Sequence, residues 1–497
     1  MKRLGLVALA LVPTITLITV TGAFGNARSA TGSPYSSIIA LESKRSLGSG
    51  ALARYLASPD EQIAVRAALA IGRTKRPEGE AALVAHLGDR RVAVRAMSVY
   101  AIGLLATGRH GRELLAALND PAGAVRVAAL DAIARYRAAG RFGSADAAAQ
   151  RAVERSLRSD TSATVRARAA TALVEFGDGA AASEASTALS RAFERDRDEA
   201  VRWHAMWTIY RAYAAKVDPA VVESALKDRD ELVRIEAVRA MSRVRGNGLA
   251  AKVRPLLADR SWRVQEQAAE TLRVLQGKPL TQHWTAIPPF VHVPARQSDP
   301  LAALPALPLT HPKGKPAPPT AASAILQPRL DPSTVAEMTG PAPGLHPRVR
   351  IVTTKGNLYV TLYPEWAPLT VENFLNLAAR GYYDHNRWFR IVPDFVVQTG
   401  DPNDNGEGDA GYSIGAEENP IEQDSYVISM GLNYNDKTQM PIRDSAGTQY
   451  YVTLSPQLHL DRDFTVFGAV TSGFDVLGRL IESDRVVRID RIADVRL

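Results

Sequence analysis

Between residues 48 and about 277 the apolar positions recur three to four apart, the spacing of one face of a helix. Val65, Ala68, Leu69 and Gly72 form one such run, and Val94, Met97, Ser98 and Ile102 another. The valines that open these runs repeat as Val65-Arg66, Val94-Arg95, Val125-Arg126, Val165-Arg166, Val201-Arg202 and Val233-Arg234, with Val264-Gln265 as a seventh. Five positions before each valine stands an aspartate: Asp60, Asp89, Asp120, Asp160, Asp196, Asp228 and Asp259. This recurrence predicts stacked helical units, because one such unit cannot bury its apolar face alone.

From Arg348 onward the pattern turns to alternation. Val349, Ile351 and Thr353 before the Lys355-Gly356 turn, and Leu358, Val360 and Leu362 after it, predict a β-hairpin. A helix follows, with Pro368 in its first turn, Val371, Phe374, Leu375 and Ala378 as its apolar stripe, and Gly381 at its end. Further strands are expected at 390–398, 426–430, 449–454 and 464–470, which suits a closed antiparallel β-barrel with flanking helices. The intervening segment 278–347 holds many of the chain's 30 prolines and is expected to be an extended spacer.

The expected organisation is therefore multidomain: a signal peptide over 1–30, an α-solenoid over 48–277, a Pro-rich linker over 278–347 and a barrel over 348–497. The signal reading rests on Lys2 and Arg3, the apolar run Leu4–Val20 and small residues near Ala23 and Ala27. It predicts a periplasmic or secreted protein with no membrane segment, unless the signal stays uncleaved as an anchor. With no cysteine in the chain, disulfides and thiolate chemistry are excluded.

The net charge of +8 is unevenly spread. Residues 348–497 carry 14 Lys or Arg against 21 Asp or Glu, so the barrel region is acidic and the rest strongly basic. The basic region lacks interleaved aromatics and groove-reading motifs, so an Arg-rich solvated surface is expected rather than a nucleic-acid partner. Trp203, Trp207 and Tyr210 sit on successive turns and are read as a core face rather than a binding stripe. Gly406, Gly408 and Gly411 lack the ending of a phosphate loop, and Asp401, Asp404, Glu407 and Asp409 read as a solvated acidic loop rather than half a calcium site. No cofactor and no metal are expected.

The repeats resemble the HEAT family, in which each unit is two antiparallel helices with an Asp and an Arg near the start of the second. The resemblance implies that the Asp caps that helix, that the Arg reaches the Asp of the adjoining repeat, and that the array binds a protein partner, here unidentified. The barrel region resembles the cyclophilins in five segments that occur in order. These are Thr353-Thr354-Lys355-Gly356-Asn357-Leu358 with Ala367-Pro368-Leu369-Thr370-Val371-Glu372-Asn373-Phe374, then the run from Trp388 to Pro402, then Gly411–Glu417 in the style of bacterial members, then Gly447–Thr453, and finally Leu460–Gly468.

That resemblance implies a peptidyl-prolyl cis/trans isomerase acting on proline-containing polypeptides during protein folding. By it Arg390 is the catalytic donor, Gln398 orients Arg390 or the peptide, and Gln449 bonds the peptide backbone. Phe395, Val396, Tyr451 and Leu460 form the walls of a proline pocket, with His459 on its rim. His459 and Phe464 depart from the commoner Trp and His, and the segment 431–444 is longer than usual. These departures leave a weakly active or inactive scaffold as the alternative.

Overall fold

The computed structural model describes residues 33–277 and 344–496, apart from 436 and 439. The signal segment and most of the Pro-rich linker thus lie outside the described residues. A helix at Pro34–Ser43, ahead of the expected start of the array, is followed by seven helix pairs, one for each Val-Arg or Val-Gln motif. The second helices, Glu61–Thr74, Val92–Leu105, Gly123–Ala138, Ala163–Ala172, Glu199–Thr208, Glu231–Met241 and Trp262–Leu275, stack in sequence order. Small residues allow this close approach: a Cβ on Gly103 would stand 2.6 Å from the Cα of Ala132.

A ladder runs along the array. Nε and Nη2 of Arg95, Arg126, Arg166, Arg202 and Arg234 donate to the carboxylates of Asp120, Asp160, Asp196, Asp228 and Asp259 in the next repeat. These planar forks match carboxylate geometry. Arg66 breaks the series and pairs instead with buried Glu42. The capping expectation needs correction. Asp60 does cap its helix, taking the N–H groups of Gln62 and Ile63, but each later aspartate accepts from the N–H two residues on. Those bonds close the turn before the helix, and the caps fall two positions further along, as at Ser162, Asp198 and Asp230. Trp203 and Trp207 are buried, in line with the core reading, while Tyr210 is half-buried beneath Arg243.

The barrel's strands are β1 (Leu345–Thr353), β2 (Gly356–Leu362), β3 (Arg390–Val392), β4 (Val396–Thr399), β5 (Val427–Met430), β6 (Tyr450–Thr453), β7 (Val466–Ser472) and β8 (Val486–Arg496). They form one antiparallel sheet in the order β3-β4-β6-β5-β7-β2-β1-β8. A bridge between Arg387 and Arg485 brings the two edge strands together. The stretch expected as one strand, 390–398, is instead the hairpin β3–β4, turning at Pro393-Asp394-Phe395. Strand β8 was not expected at all. The helix Pro368–Ala379 packs Phe374 among Tyr383, Tyr450 and Phe467 in the core.

Array and barrel are packed against each other. Tyr35 and Ile39 of the opening helix share an apolar cluster with Leu369. Arg73 is fully buried: its Nε donates to the Glu418 carbonyl at 2.7 Å, its Nη2 to the carbonyls of Trp366 and Glu417, and its Nη1 to Glu42 at 2.8 Å. Further ion pairs follow along the array: Lys75 with Glu418 at 3.1 Å, Arg168 with Glu422, Glu175 with Arg462 at 3.0 Å, and Arg263 with Asp394. The expectation that the array's arginines form a solvated surface is thereby corrected. Many pair within the ladder, and others are spent on the acidic barrel.

Candidate active site

Alternation along the strands decides which side chains reach the site, since successive residues point to opposite faces. On β4 and β6 the residues Val397, Tyr450 and Val452 enter the barrel core. Their neighbours Val396, Gln398 and Tyr451 take the other face, with Gln398 paired to Arg390 on one side and to Tyr451 on the other. There Val396, Tyr451, Leu460 and Phe464 form a separate buried apolar cluster, edged by Phe395 and Leu432. Tyr451 and Phe464 meet edge-on at 5.8 Å. Phe464 is thus a member of this cluster, and the long segment supplies a second unforeseen neighbour in Leu432.

Arg390 stands beside this cluster, against Phe395. Its guanidinium lies 5.3 Å from the centre of the Phe395 ring, and its Nη1 donates to Gln398 Oε1 at 3.4 Å. Gln398 Nε2 donates to Gln449 Oε1 at 3.1 Å, and Gln449 Nε2 donates to the carbonyls of Gly406 and Gly408. A chain of side-chain amides therefore runs from the 406–408 turn to the guanidinium. Burial lowers the basicity of Arg390, opposed by Tyr434 and Tyr451, yet an arginine remains charged under any ordinary condition.

Asp401 organises the same turn. It is buried rather than solvated, and accepts from the N–H groups of Asn403, Asn405 and Gly406. Asp401 thus departs from the reading of 401–409 as a solvated acidic loop, whereas Glu407 and Asp409 are exposed. Among the described residues no group of three or more His, Asp or Glu is placed to hold a metal ion.

His459 stacks on Phe395, ring centres 5.6 Å apart and planes 18° from parallel, with its outer side open to water. Burial among its neighbours, and after it the cations of Arg211 and Arg239 of the array, push its pKa down. Gln423 was not anticipated, since it lies in irregular chain with no periodic signal. It is fully buried, and its Oε1 accepts from the Tyr451 hydroxyl at 3.2 Å and from Ser429 at 3.0 Å, fixing one wall. The long segment forms a hairpin, with Asn435 N–H bonded to the Met440 carbonyl and Ile442 N–H to that of Asn433.

The barrel thus sets a half-buried arginine beside a separate apolar cluster on one face of its sheet. Residues 348–496 match the cyclophilin type peptidyl-prolyl cis-trans isomerase/CLD family, and residues 186–273 match HEAT repeats. "Peptidyl-prolyl cis-trans isomerase-like 1" of Aspergillus fumigatus is 40% identical over 132 residues, 26% of this chain and 78% of its own. "Peptidyl-prolyl cis-trans isomerase 10" of Caenorhabditis elegans is 37% identical over 144 residues, 29% of this chain and 84% of its own. A solved Cryptosporidium parvum cyclophilin, crystallised with the dipeptide Ala-Pro, is 27% identical and covers 30% of this chain and 98% of its own, with a TM-score of 0.25. The chain belongs to the cyclophilin-type peptidyl-prolyl cis-trans isomerases and carries HEAT repeats ahead of the isomerase domain.

The same relatives correct one expectation. They are eukaryotic, which overturns the assignment of a bacterial, periplasmic or secreted protein. The residues on which that assignment rested are outside the described part of the chain.

Proposed function

We propose that the barrel, as a folding catalyst, speeds rotation about X–Pro bonds in flexible polypeptides, with the proline ring held among Phe395, Val396, Tyr451, Leu460 and Phe464. That rotation faces a barrier of about 18–20 kcal/mol because the amide is conjugated, and unaided it takes tens of seconds or more. As the bond twists, the proline nitrogen regains a lone pair. A fixed donor aimed at that nitrogen favours the twisted amide over the planar one, with no need of a nucleophile, metal or cofactor.

Arg390 is that donor in this reading. Gln398 keeps it aimed, Gln449 steadies Gln398 and meets the peptide backbone, and His459 borders the residues flanking the proline. The array acts as a protein-binding scaffold whose bound protein is the chain's own barrel. The observation that carries the reading is a half-buried guanidinium beside an apolar cluster, donating to a neutral amide.

Arg390→Ala in the full chain should lower kcat/KM on a short X–Pro peptide by about a hundredfold or more, the range for losing one transition-state donor. Its unfolding midpoint should not move. Arg390→Lys, which keeps the charge but loses the fork, should recover only part of the rate. Full activity in a folded Arg390→Ala chain would overturn the assignment.

A further inference from the structure

Three walls of the proline hollow have neighbours in sequence or in space that are held by the helical array. Phe395 follows Asp394, whose carboxylate pairs with Arg263 and lies 3.8 Å from Arg239 Nη2, groups from the last two repeats. Asp394 adopts φ +59°, a conformation that favours glycine, yet an aspartate stands there. Its carbonyl accepts from Ser455 and from Gln457 Nε2, so the whole residue is held in place.

The second wall, Leu460, ends the short 3₁₀ turn Leu458–Leu460. Leu458 of this turn is buried in the apolar core of the array, whereas Leu460 is buried in the hollow. One turn of chain is therefore anchored in the array on one side and lines the site on the other. The third wall, Tyr451, rests its hydroxyl on Gln423. Gln423 donates its N–H to Asp461 at 2.7 Å, and Arg168 of the array binds Glu422 while lying 3.8 Å from Asp461.

We propose that the array is a positioning part of the active site, holding Phe395 through Asp394 and holding Leu460 and Tyr451 through the 458–461 turn and Arg168. The inference rests on the reading of the hollow as the proline site. It goes beyond that reading in making a helical scaffold outside the barrel set the hollow's width. Asp394, Leu458 and Arg168 are positioning residues, since none of them lines the hollow. Leu458 is buried in the array's apolar core and not in the barrel's, and the Asp394 carboxylate is paired with arginines of the array, so the array adds to what the barrel's own hydrogen bonds supply.

The test uses the full chain and Asp394→Gly. Glycine adopts φ +59° without steric cost, so the variant keeps its backbone and loses only the carboxylate. Walls hold the ring alike in the planar and twisted states, so KM should rise by about fivefold while kcat changes by less than about twofold. Arg263→Gln should raise KM to a similar degree, and the double variant should be no worse than either single one, the mark of a coupled pair.

Hydrogen exchange supplies a readout independent of turnover. The Leu454 amide is bonded to the Phe395 carbonyl at 2.8 Å, and in Asp394→Gly it should exchange about tenfold faster than in the unaltered chain. Unchanged KM with unchanged Leu454 protection overturns the proposal while leaving the isomerase reading intact. If the unaltered chain proved inactive, the isomerase reading would fail, and unchanged protection alone would still overturn the clamp.

Discussion

The array and the barrel solve the same problem in opposite ways. In the array each contact joins residues a few dozen positions apart: Arg126 meets Asp160, and Gly103 meets Ala132. One local solution is repeated, so its parts recur at readable intervals. In the barrel the neighbours are distant: β8 pairs with β1 and β7 with β2, and Arg350 reaches Asp490 at 2.6 Å. No part is repeated there. The charge differs as well, basic against acidic, and where the two regions meet that difference becomes a set of ion pairs. A repetitive scaffold can thus steady an irregular one without sharing its architecture.

The largest way to break the contrast is at Arg73. Arg73→Ala leaves Glu42 without one of its two cations and removes a donor from each of three barrel carbonyls. A loss of about 3–5 kcal/mol is expected, as for breaking a buried ion pair, read from chemical denaturation of the full chain. A single unshifted transition would show that the joint contributes little.

Acid should loosen the same joint. Burial by itself would raise the Glu418 carboxyl, but Lys75, Arg135 and Arg443 outweigh it and hold it down to about 2. A group whose folded pKa is depressed stabilises the fold above its unfolded value, and that stability is lost as pH falls toward the folded one. The window therefore runs from about 4.5 down to about 2, with a complete loss on the order of 3 kcal/mol. Stability of the full chain followed through that window should fall more steeply than that of Glu418→Gln, whose profile lacks this step. Parallel profiles would count against it.

The smallest effect sharpens the other side of the comparison. Arg126→Gln removes one rung of the ladder, a partly buried forked pair, and should cost about 1 kcal/mol in unfolding free energy. The loss should be nearly the same at Arg95 or Arg166, since the rungs are equivalent. Unequal losses would show that the repeats are not energetically alike.

Legibility followed the same division. The seven aspartates and the Val-Arg pairs mark the array and its ladder in the sequence, because a local rule applied seven times leaves a period. The first hairpin and the helix after it were equally plain, their registers set by short turns and alternation. Strand β8 was missed because its partner lies well over a hundred residues earlier, and Gln423 because a lone polar residue in irregular chain carries no pattern. Asp394 stood in the open within a recognisable run, but its meaning depends on Arg263, which no spacing connects to it.

Residue order alone thus dictated the repeat, the first hairpin and helix of the barrel, and the opposite charges of the two regions. These follow from short-range sterics and from the periodicity of burial. The docking of array on barrel was settled only in three dimensions. So were the use of Leu458 in one core and Leu460 in another wall, and the capture of a left-handed aspartate by two distant arginines. Such pairings depend on where separate elements come to rest, and that is decided by the summed packing of the whole chain.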